Sequence, residues 1–132
     1  MAAPLPNTVL HAMAHQEGWF ASGPANRPQR NLNPLDLQYC PEAVEFGATG
    51  SDGRFAIFPD AETGWNAGRR WLSVPAKFSG TDLVGGYLGA TIEQAIYRFA
   101  PPSENDSAAY CAAVCEQTGK QPGDVLDAEA LG

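Results

Sequence analysis

The chain has 132 residues, a formal net charge of −7 and a hydrophobic fraction of 44%. This length suits one domain with a single core, and three Trp, four Tyr and six Phe argue against a disordered chain. The negative charge excludes the basic stripe of a nucleic-acid-binding surface, and no apolar run is long enough for membrane insertion. The first residues lack the features of a secretory signal, so we expect synthesis in the cytoplasm.

The first predicted element is a helix that begins after Asn7 or Thr8 and ends at about Glu17 or Gly18. The residues that share one face of this helix are Leu10, Met13, Ala14 and Glu17. An acid on an apolar face is unusual, because burial disfavours the charged form of a carboxyl group and raises its pKa. A general acid for glycosidic cleavage needs this environment, whereas a structural Glu17 would reach solvent or bond loop amides.

The middle of the chain is predicted to be irregular. Residues 21–37 are rich in Asn, Pro, Arg and Gln and predict a long loop, and loops of this length are often functional. Residues 54–58 follow an Asp-Gly turn signal and predict a short strand, with residues 44–46 as its partner. These features predict a small hairpin after the first helix.

Three further helices are predicted. One begins after Asp60, and its inner side holds Trp65, Gly68 and Leu72. The Gly-rich residues 79–91 predict a loop with a short helical turn, and the next helix runs from Thr91 to the proline pair at 101–102.

The last long helix is predicted to start at Ser103 or Asp106 and to reach about Thr118, before an acidic tail with one more helical turn. Its predicted inner stripe is Ala108, Cys111, Ala112 and Cys115, with Tyr110 and Val114 alongside. Together the elements predict one α+β domain, mostly α, spanning residues 1–132.

The cysteines and histidines predict no cofactor or metal. Cys40, Cys111 and Cys115 are odd in number, and buried free thiols are favoured over a bridge from the first to one of the others. His11 and His15 lie four residues apart, but the Glu that follows the first His in zinc proteases is missing. Two solvated histidines are the favoured interpretation.

Five segments, taken in order, resemble a known group. They are HQEGWF, PQRNLNPLDL, GRFAIFPDAETGWNA, TIEQAIYRFAPPSENDSAAY and CEQTG. These segments, between about Val9 and Leu126, resemble the small lysozyme-like proteins of phages and prophages, in the lytic transglycosylase and goose-type muramidase group. The resemblance implies a lysozyme-like fold and peptidoglycan glycan strands as the substrate. It also implies that Glu17, in QEGW, is the catalytic acid. Without a secretory signal, delivery of such a phage or prophage protein to the cell wall is expected by a virion, a holin or cell lysis.

Eight further residues are predicted to contact the glycan: Arg30, Asn31, Asn33, Asp36, Phe58, Glu104, Asn105 and Tyr110. Asn amides bond sugar hydroxyls and N-acetyl groups, but they also hold turns. Phe58, Trp65 and Trp71 are suited either to sugar stacking or to the core. The resemblance places Tyr110 at the cleft, but the group has Gly-Asn where this chain has Leu35-Asp36, which leaves the loop's substrate contacts open.

The reaction type depends on a second carboxylate. A retaining glycosidase needs one about 5 Å from the first, and an inverting enzyme needs one farther away. The candidates are Asp36, Glu42, Glu45, Asp52 and Asp60, with Asp36 preferred for its place in the Asn-rich loop. A lytic transglycosylase needs only Glu17, which favours that reaction over a hydrolytic muramidase. A non-catalytic virion structural or wall-binding protein is the alternative outside enzymes.

Overall fold

A computed structural model describes residues 3–132. Within them the elements in chain order are α1 (Val9–Glu17), α2 (Arg27–Arg30), α3 (Pro41–Glu45), β1 (Gly50–Ser51), β2 (Ala56–Ile57), α4 (Ala61–Leu72), β3 (Lys77–Ser79), β4 (Asp82–Gly85), α5 (Ile92–Phe99), α6 (Ser107–Thr118) and α7 (Ala128–Leu131). Both sheets are two-stranded antiparallel hairpins. The predicted mostly helical α+β class is confirmed.

Helix α1 begins after Thr8 and lies in the core, packed against α6 and α7. Its predicted inner residues Leu10, Met13 and Ala14 are fully buried, as the three-one spacing indicates. Glu17 closes the same face and is half-buried. The Glu17 carboxyl group therefore lies at the end of α1, at the boundary between the core and the surface.

Helix α6 packs on α1 with a face rotated from the predicted one. Its buried residues are Ser107, Tyr110, Cys111, Val114 and Cys115. Ala108 and Ala112, predicted to lie inside, are exposed. Burying the larger Tyr110 and Val114 removes more apolar surface from water than burying two alanines, so the larger side chains take the core. All three cysteines are free thiols.

The predicted long loop contains a short helix, and the predicted strand has a different partner. Helix α2 begins with a capping box between Asn26 and Gln29. Residues 44–46 are not a strand, because Pro41 starts helix α3 there. The Asp52 carboxylate accepts bonds from the next backbone N–H groups and turns the chain sharply, so β2 pairs with the adjacent β1.

Three residues predicted to bind sugar lie in the interior instead. Asn33 is 0% exposed, and its amide donates to the carbonyls of Leu37 and Ala56 at 2.9 Å and accepts from the Leu37 N–H at 2.9 Å. Asn31 is also buried. Phe58 is 1% exposed and belongs to the core. Asn31 and Asn33 hold the loop to the first hairpin through side-chain hydrogen bonds, and Phe58 fills the core, so none of the three is available to a glycan.

Two glycines permit close backbone contacts. A Cβ at Gly64 in α4 would lie 2.0 Å from the Leu32 carbonyl oxygen, so only glycine lets α4 pack on the Asn-rich loop. Gly86 has φ 70°, and a Cβ there would lie 1.8 Å from the Pro75 carbonyl oxygen. Gly86 directly follows β4, which lies within residues 79–91, predicted as a loop with a helical turn, and pairs with β3.

The remaining predicted helix boundaries are close to those observed. Asp60, Thr91 and Asp106 each cap a helix through a side-chain oxygen, and Gly119 ends α6 with a left-handed φ of 72°. No helix among residues 3–132 has the length and apolar character to cross a membrane.

Replacing Asn33 by Ala is expected to lower the free energy of unfolding by about 3 kcal/mol, because the buried Leu37 N–H and Ala56 carbonyl lose their partner. The Leu37 carbonyl still accepts from the Ala56 N–H. Urea denaturation followed by circular dichroism measures this loss. Asn105→Ala is the control, since Asn105 is exposed and makes only a 3.4 Å bond to the Pro101 carbonyl. Equal stabilities of the two variants would contradict the structural role of Asn33.

Candidate active site

A groove of about 490 Å³ opens at the C-terminal end of α1. Its lining comes from Glu17, from the start of α2 at Arg27, from residues 35–40 and from the turn of the first hairpin. The ends of α4 and α5, Tyr87 and the α5–α6 loop complete it. Segments far apart in sequence thus meet around one carboxyl group.

Glu17 sits where α1 ends, because Gly18 follows it with a left-handed φ of 97°. Its Oε2 accepts a hydrogen bond from the Tyr110 hydroxyl at 2.7 Å. Burial raises the pKa of Glu17 from 4.5 to about 7, against the lowering effect of the Tyr110 hydrogen bond. Two nearby charges also contribute to this value: that of Asp36 raises the pKa, and that of Arg27 lowers it. A carboxyl group with this pKa both gives and takes a proton near neutral pH.

Tyr110 lies behind Glu17 rather than in the groove. It is 8% exposed, and its hydroxyl also lies 3.4 Å from the Met13 carbonyl oxygen. Burial, and then the nearby Glu17, raise the pKa of Tyr110 well above its usual value, so it keeps its proton and donates. The predicted contact of Tyr110 with substrate is therefore replaced by a contact with the acid.

Arg27, which is absent from the predicted site residues, forms a two-pronged ion pair with Asp36. Its Nε donates to both carboxylate oxygens at 3.0 Å, and an Nη of the same guanidinium also donates to Oδ2. The guanidinium carbon lies 3.7 Å from the centroid of the Phe55 ring. The Arg27 guanidinium therefore makes a bidentate ion pair with Asp36 and a cation–π contact with Phe55.

A second ion pair joins the first hairpin to the α5–α6 loop. Arg54 lies 3.6 Å from Glu104, and both residues line the groove together with Asn105. Both side chains are about 60% exposed, so the pair adds little to stability and opens easily.

Aromatic residues form much of the remaining lining. Trp71 donates from its indole Nε1 to the Tyr87 hydroxyl at 3.3 Å, and Tyr87 meets Phe99 edge to face at 6.3 Å between ring centroids. Tyr39 is 46% exposed. Trp65 is instead in the core at 4% exposure. Of the groove aromatics, the sequence indicates only Trp71 for sugar stacking, because the others lie in irregular segments or lack a distinguishing spacing.

Four predicted site residues line the groove: Glu17, Asp36, Glu104 and Asn105. Arg30 does not, since its guanidinium donates to the Ala25 carbonyl at 2.7 Å on the outside of α2. Asn31 and its partner Asp52 hold the hairpin turn through a 2.9 Å bond between their side chains.

Asp36 is the one candidate second carboxylate in this groove. The pKa of Asp52 is lowered to about 2 by hydrogen bonds from the Phe55 N–H, the Asn31 amide and the Arg54 N–H. Asp60 caps α4, Glu45 lies 3.9 Å from Arg70, and Glu42 is exposed in the first turn of α3. These four serve local structure or the surface.

The histidines of α1 differ from the expected solvated pair. His15 is exposed, but His11 is half-buried and stacks on Phe20 with 4.4 Å between ring centroids. Burial lowers the pKa of His11, and its Nδ1 has no hydrogen-bond partner among the described residues. Within residues 3–132 no three His, Cys, Asp or Glu side chains are grouped to hold a metal ion.

Comparison with known proteins identifies no relative: no family model, curated protein or solved structure matches the chain.

The stability of Glu17→Gln relative to wild type is expected to depend on pH. Between pH 4.5 and about 7 the unfolded chain releases the Glu17 proton while the folded chain retains it, so the wild type loses stability as pH rises. The variant's neutral amide does not titrate. The free energy of unfolding of the variant, relative to that of wild type, should therefore rise by about 3 kcal/mol across that range and level off above pH 7. Urea denaturation at a series of pH values measures it.

A stability difference between Glu17→Gln and wild type that is the same at pH 4.5 and pH 8 would mean that the folded and unfolded chains bind the Glu17 proton equally.

Proposed function

We propose that this protein cleaves peptidoglycan glycan strands between N-acetylmuramic acid and N-acetylglucosamine, as a lytic transglycosylase with Glu17 as its single acid and base. The observation that carries the proposal is a carboxyl group with a pKa of about 7 inside a groove lined by polar and aromatic residues. Delivery to the wall by a virion or a holin is part of the same proposal.

The reaction needs one group that acts first as acid and then as base. Protonated Glu17 gives its proton to the bridging oxygen as the bond from muramyl C1 breaks. Ionised Glu17 then takes the proton of the muramyl C6 hydroxyl while that oxygen bonds C1. The products are a free N-acetylglucosamine hydroxyl and a 1,6-anhydromuramyl end, and Glu17 regains its proton.

The other groove carboxylates support the single-acid mechanism. Both oxygens of Asp36 accept from Arg27, and Glu104 lies beside Arg54. The oxygens of Asp36 are therefore occupied by the guanidinium, and Glu104 is an exposed side chain at the groove's edge. Among the three carboxyl groups of the groove, Glu17 has a neutral hydroxyl as its hydrogen-bond partner.

The composition of the groove agrees with a sugar chain. Aromatic rings pack against the apolar faces of pyranose rings, and Tyr39, Trp71 and Tyr87 offer such surfaces. The amides of Gln38 and Asn105, also in the lining, can bond hydroxyl and N-acetyl groups.

A hydrolytic muramidase is the second candidate, and one observation favours it. Asp36 lines the same groove and raises the pKa of Glu17 by its charge, so the two carboxyl groups interact. If a glycan displaced Arg27, Asp36 would be free to direct water at the sugar.

Glu17→Gln is expected to lower the rate of sacculus digestion by about 10²–10⁴-fold, because a positioned acid and base contributes this much. Purified sacculi are incubated with each protein, and the released fragments are analysed by mass spectrometry. Anhydromuramyl ends from wild type support the transglycosylase, whereas reducing muramic acid ends identify the hydrolase. Sacculus binding without digestion by either protein would replace the enzyme with a wall-binding role, and equal digestion by both would remove Glu17 from the mechanism.

Activity is expected to fall as Glu17 ionises at high pH. In Tyr110→Phe this fall should occur at a higher pH than in wild type. The hydroxyl bonds the ionised carboxylate and lowers its pKa, so its removal raises that pKa. The measurement is the rate of sacculus digestion from pH 5 to pH 9. Tyr97→Phe is the matched control, since Tyr97 lies on the exposed side of α5 outside this groove. A downward shift in Tyr110→Phe would contradict the assigned hydrogen bond.

A further inference from the structure

The guanidinium of Arg27 is held on two sides. One edge donates to both oxygens of Asp36, and one face lies 3.7 Å from the centre of the Phe55 ring. These contacts restrict the rotation of a long side chain on the four-residue helix α2, although that side chain is 46% exposed. The contacts with Asp36 and Phe55 therefore hold the positive charge of Arg27 at one position.

Asp36 is fixed as firmly as its partner. Its side chain is only 6% exposed, and its backbone has a left-handed φ of 52°, which few residues other than Gly, Asn and Asp adopt. Its N–H donates to the Asn33 carbonyl at 2.9 Å, within the buried network that ties the loop to the first hairpin. A nearly buried carboxylate needs a compensating cation, and Arg27 is the one that bonds it.

Both charges lie in the groove with Glu17 and act on it in opposite directions. The negative charge of Asp36 favours the protonated form of Glu17, and the positive charge of Arg27 favours the ionised form. The other titratable or charged groups of this site are Arg54, Glu104, Cys40, Tyr39, Tyr87 and Tyr110. Tyr110 is neutral, and the exposed Arg54 and Glu104 form their own pair.

We propose that Arg27 is a positioning residue that holds Asp36 and balances its charge beside Glu17. Arg27 and Asp36 together act as a neutral unit, so burial remains the main influence on when Glu17 gives up its proton. The inference deepens the proposed function, on which its catalytic meaning rests, but the charge balance is measurable without substrate.

The charge balance predicts that removing either charge alone shifts the pKa of Glu17, in opposite directions for the two variants. Arg27→Gln leaves the Asp36 charge uncompensated and should raise the pKa of Glu17 by about half a unit or more. Asp36→Asn, which keeps the side-chain shape and tolerates the left-handed backbone, should lower it by a similar amount. The double variant Arg27→Gln/Asp36→Asn, in which both charges are absent, should return it close to the wild-type value.

The experiment is a titration of the Glu17 carboxyl carbon by NMR, in protein labelled with ¹³C at the Glu side chain and assigned with Glu17→Gln. Arg27→Lys adds a further comparison, since Lys keeps the charge but not the fork or the flat stacking surface. A shift in Arg27→Lys that lies between wild type and Arg27→Gln supports positioning in addition to charge. An Arg27→Lys titration identical to wild type would overturn the positioning role.

Arg70→Gln is the matched control. Arg70 also pairs with a carboxylate, Glu45, and also lies over an aromatic ring, Phe46, but none of these three residues lines the groove. It should leave the Glu17 titration unchanged. Single variants that shift Glu17 in the same direction, or by less than about 0.2 unit, overturn the charge balance, with thermal unfolding confirming that each variant is folded. If Arg27→Gln does not fold, Asp36→Asn alone decides: a downward shift supports the balance and an unchanged pKa overturns it.

A failure of the proposed function would look different. It would leave the Glu17 titration of these variants as expected while wild type released no fragments from sacculi. The converse result, normal digestion with no charge effect, would leave the enzyme assignment standing and remove Arg27 from it.

Discussion

The hydrogen bond from Tyr110 to Glu17 joins the packed helices α1 and α6 at the one residue of α1 that lines the groove. It spans 93 positions of sequence and closes at 2.7 Å. Helix α1 brings its last residue to the edge of the core, and α6 supplies the hydroxyl from within the core. The bond limits how far burial can raise the Glu17 pKa, since the Tyr110 proton stabilises the carboxylate that burial disfavours. The two effects together keep the pKa of Glu17 at about 7, so this carboxyl group can lose its proton near neutral pH.

Charge is distributed unevenly between the whole chain and its groove. The chain carries a formal net charge of −7, yet two arginines lie in the groove and each is paired with an acid there. Pairing differs in strength: Asp36 is nearly buried and doubly bonded, whereas Glu104 is exposed at 3.6 Å from Arg54. Consequently one pair contributes to the fixed electrostatics of the site, and the other can separate at little cost when a ligand enters.

The Asn-rich loop has a structural role that its composition only partly suggests. Amide side chains suit sugar recognition and turn formation equally well, so the sequence left both roles open for Asn31 and Asn33. The structure places Asn33 at 0% exposure among backbone partners and Asn31 against Asp52. These bonds tie the loop to the first hairpin, and Asp36 is the acid of this loop that lines the groove.

The sequence by itself determined the elements whose signals are local. The spacing of Leu10, Met13 and Ala14 placed α1 and its inward face, and side-chain caps located the starts of α4 and α5, because these interactions form within a few residues. Glu17 followed from the same spacing, as an acid on an apolar face.

Tertiary structure alone decided the environment of that acid. The rotation of α6, the partner of β2, and the contacts of Arg27 with Asp36 and Phe55 join segments that no periodic pattern links. Which face of an alanine- and cysteine-rich helix is buried depends on the volume that its neighbours leave, and a pKa depends on charges and burial in three dimensions. For this reason the sequence singled out Glu17, Asp36 and Tyr110, but it gave neither the contacts that set the Glu17 pKa nor the part of Arg27 in them.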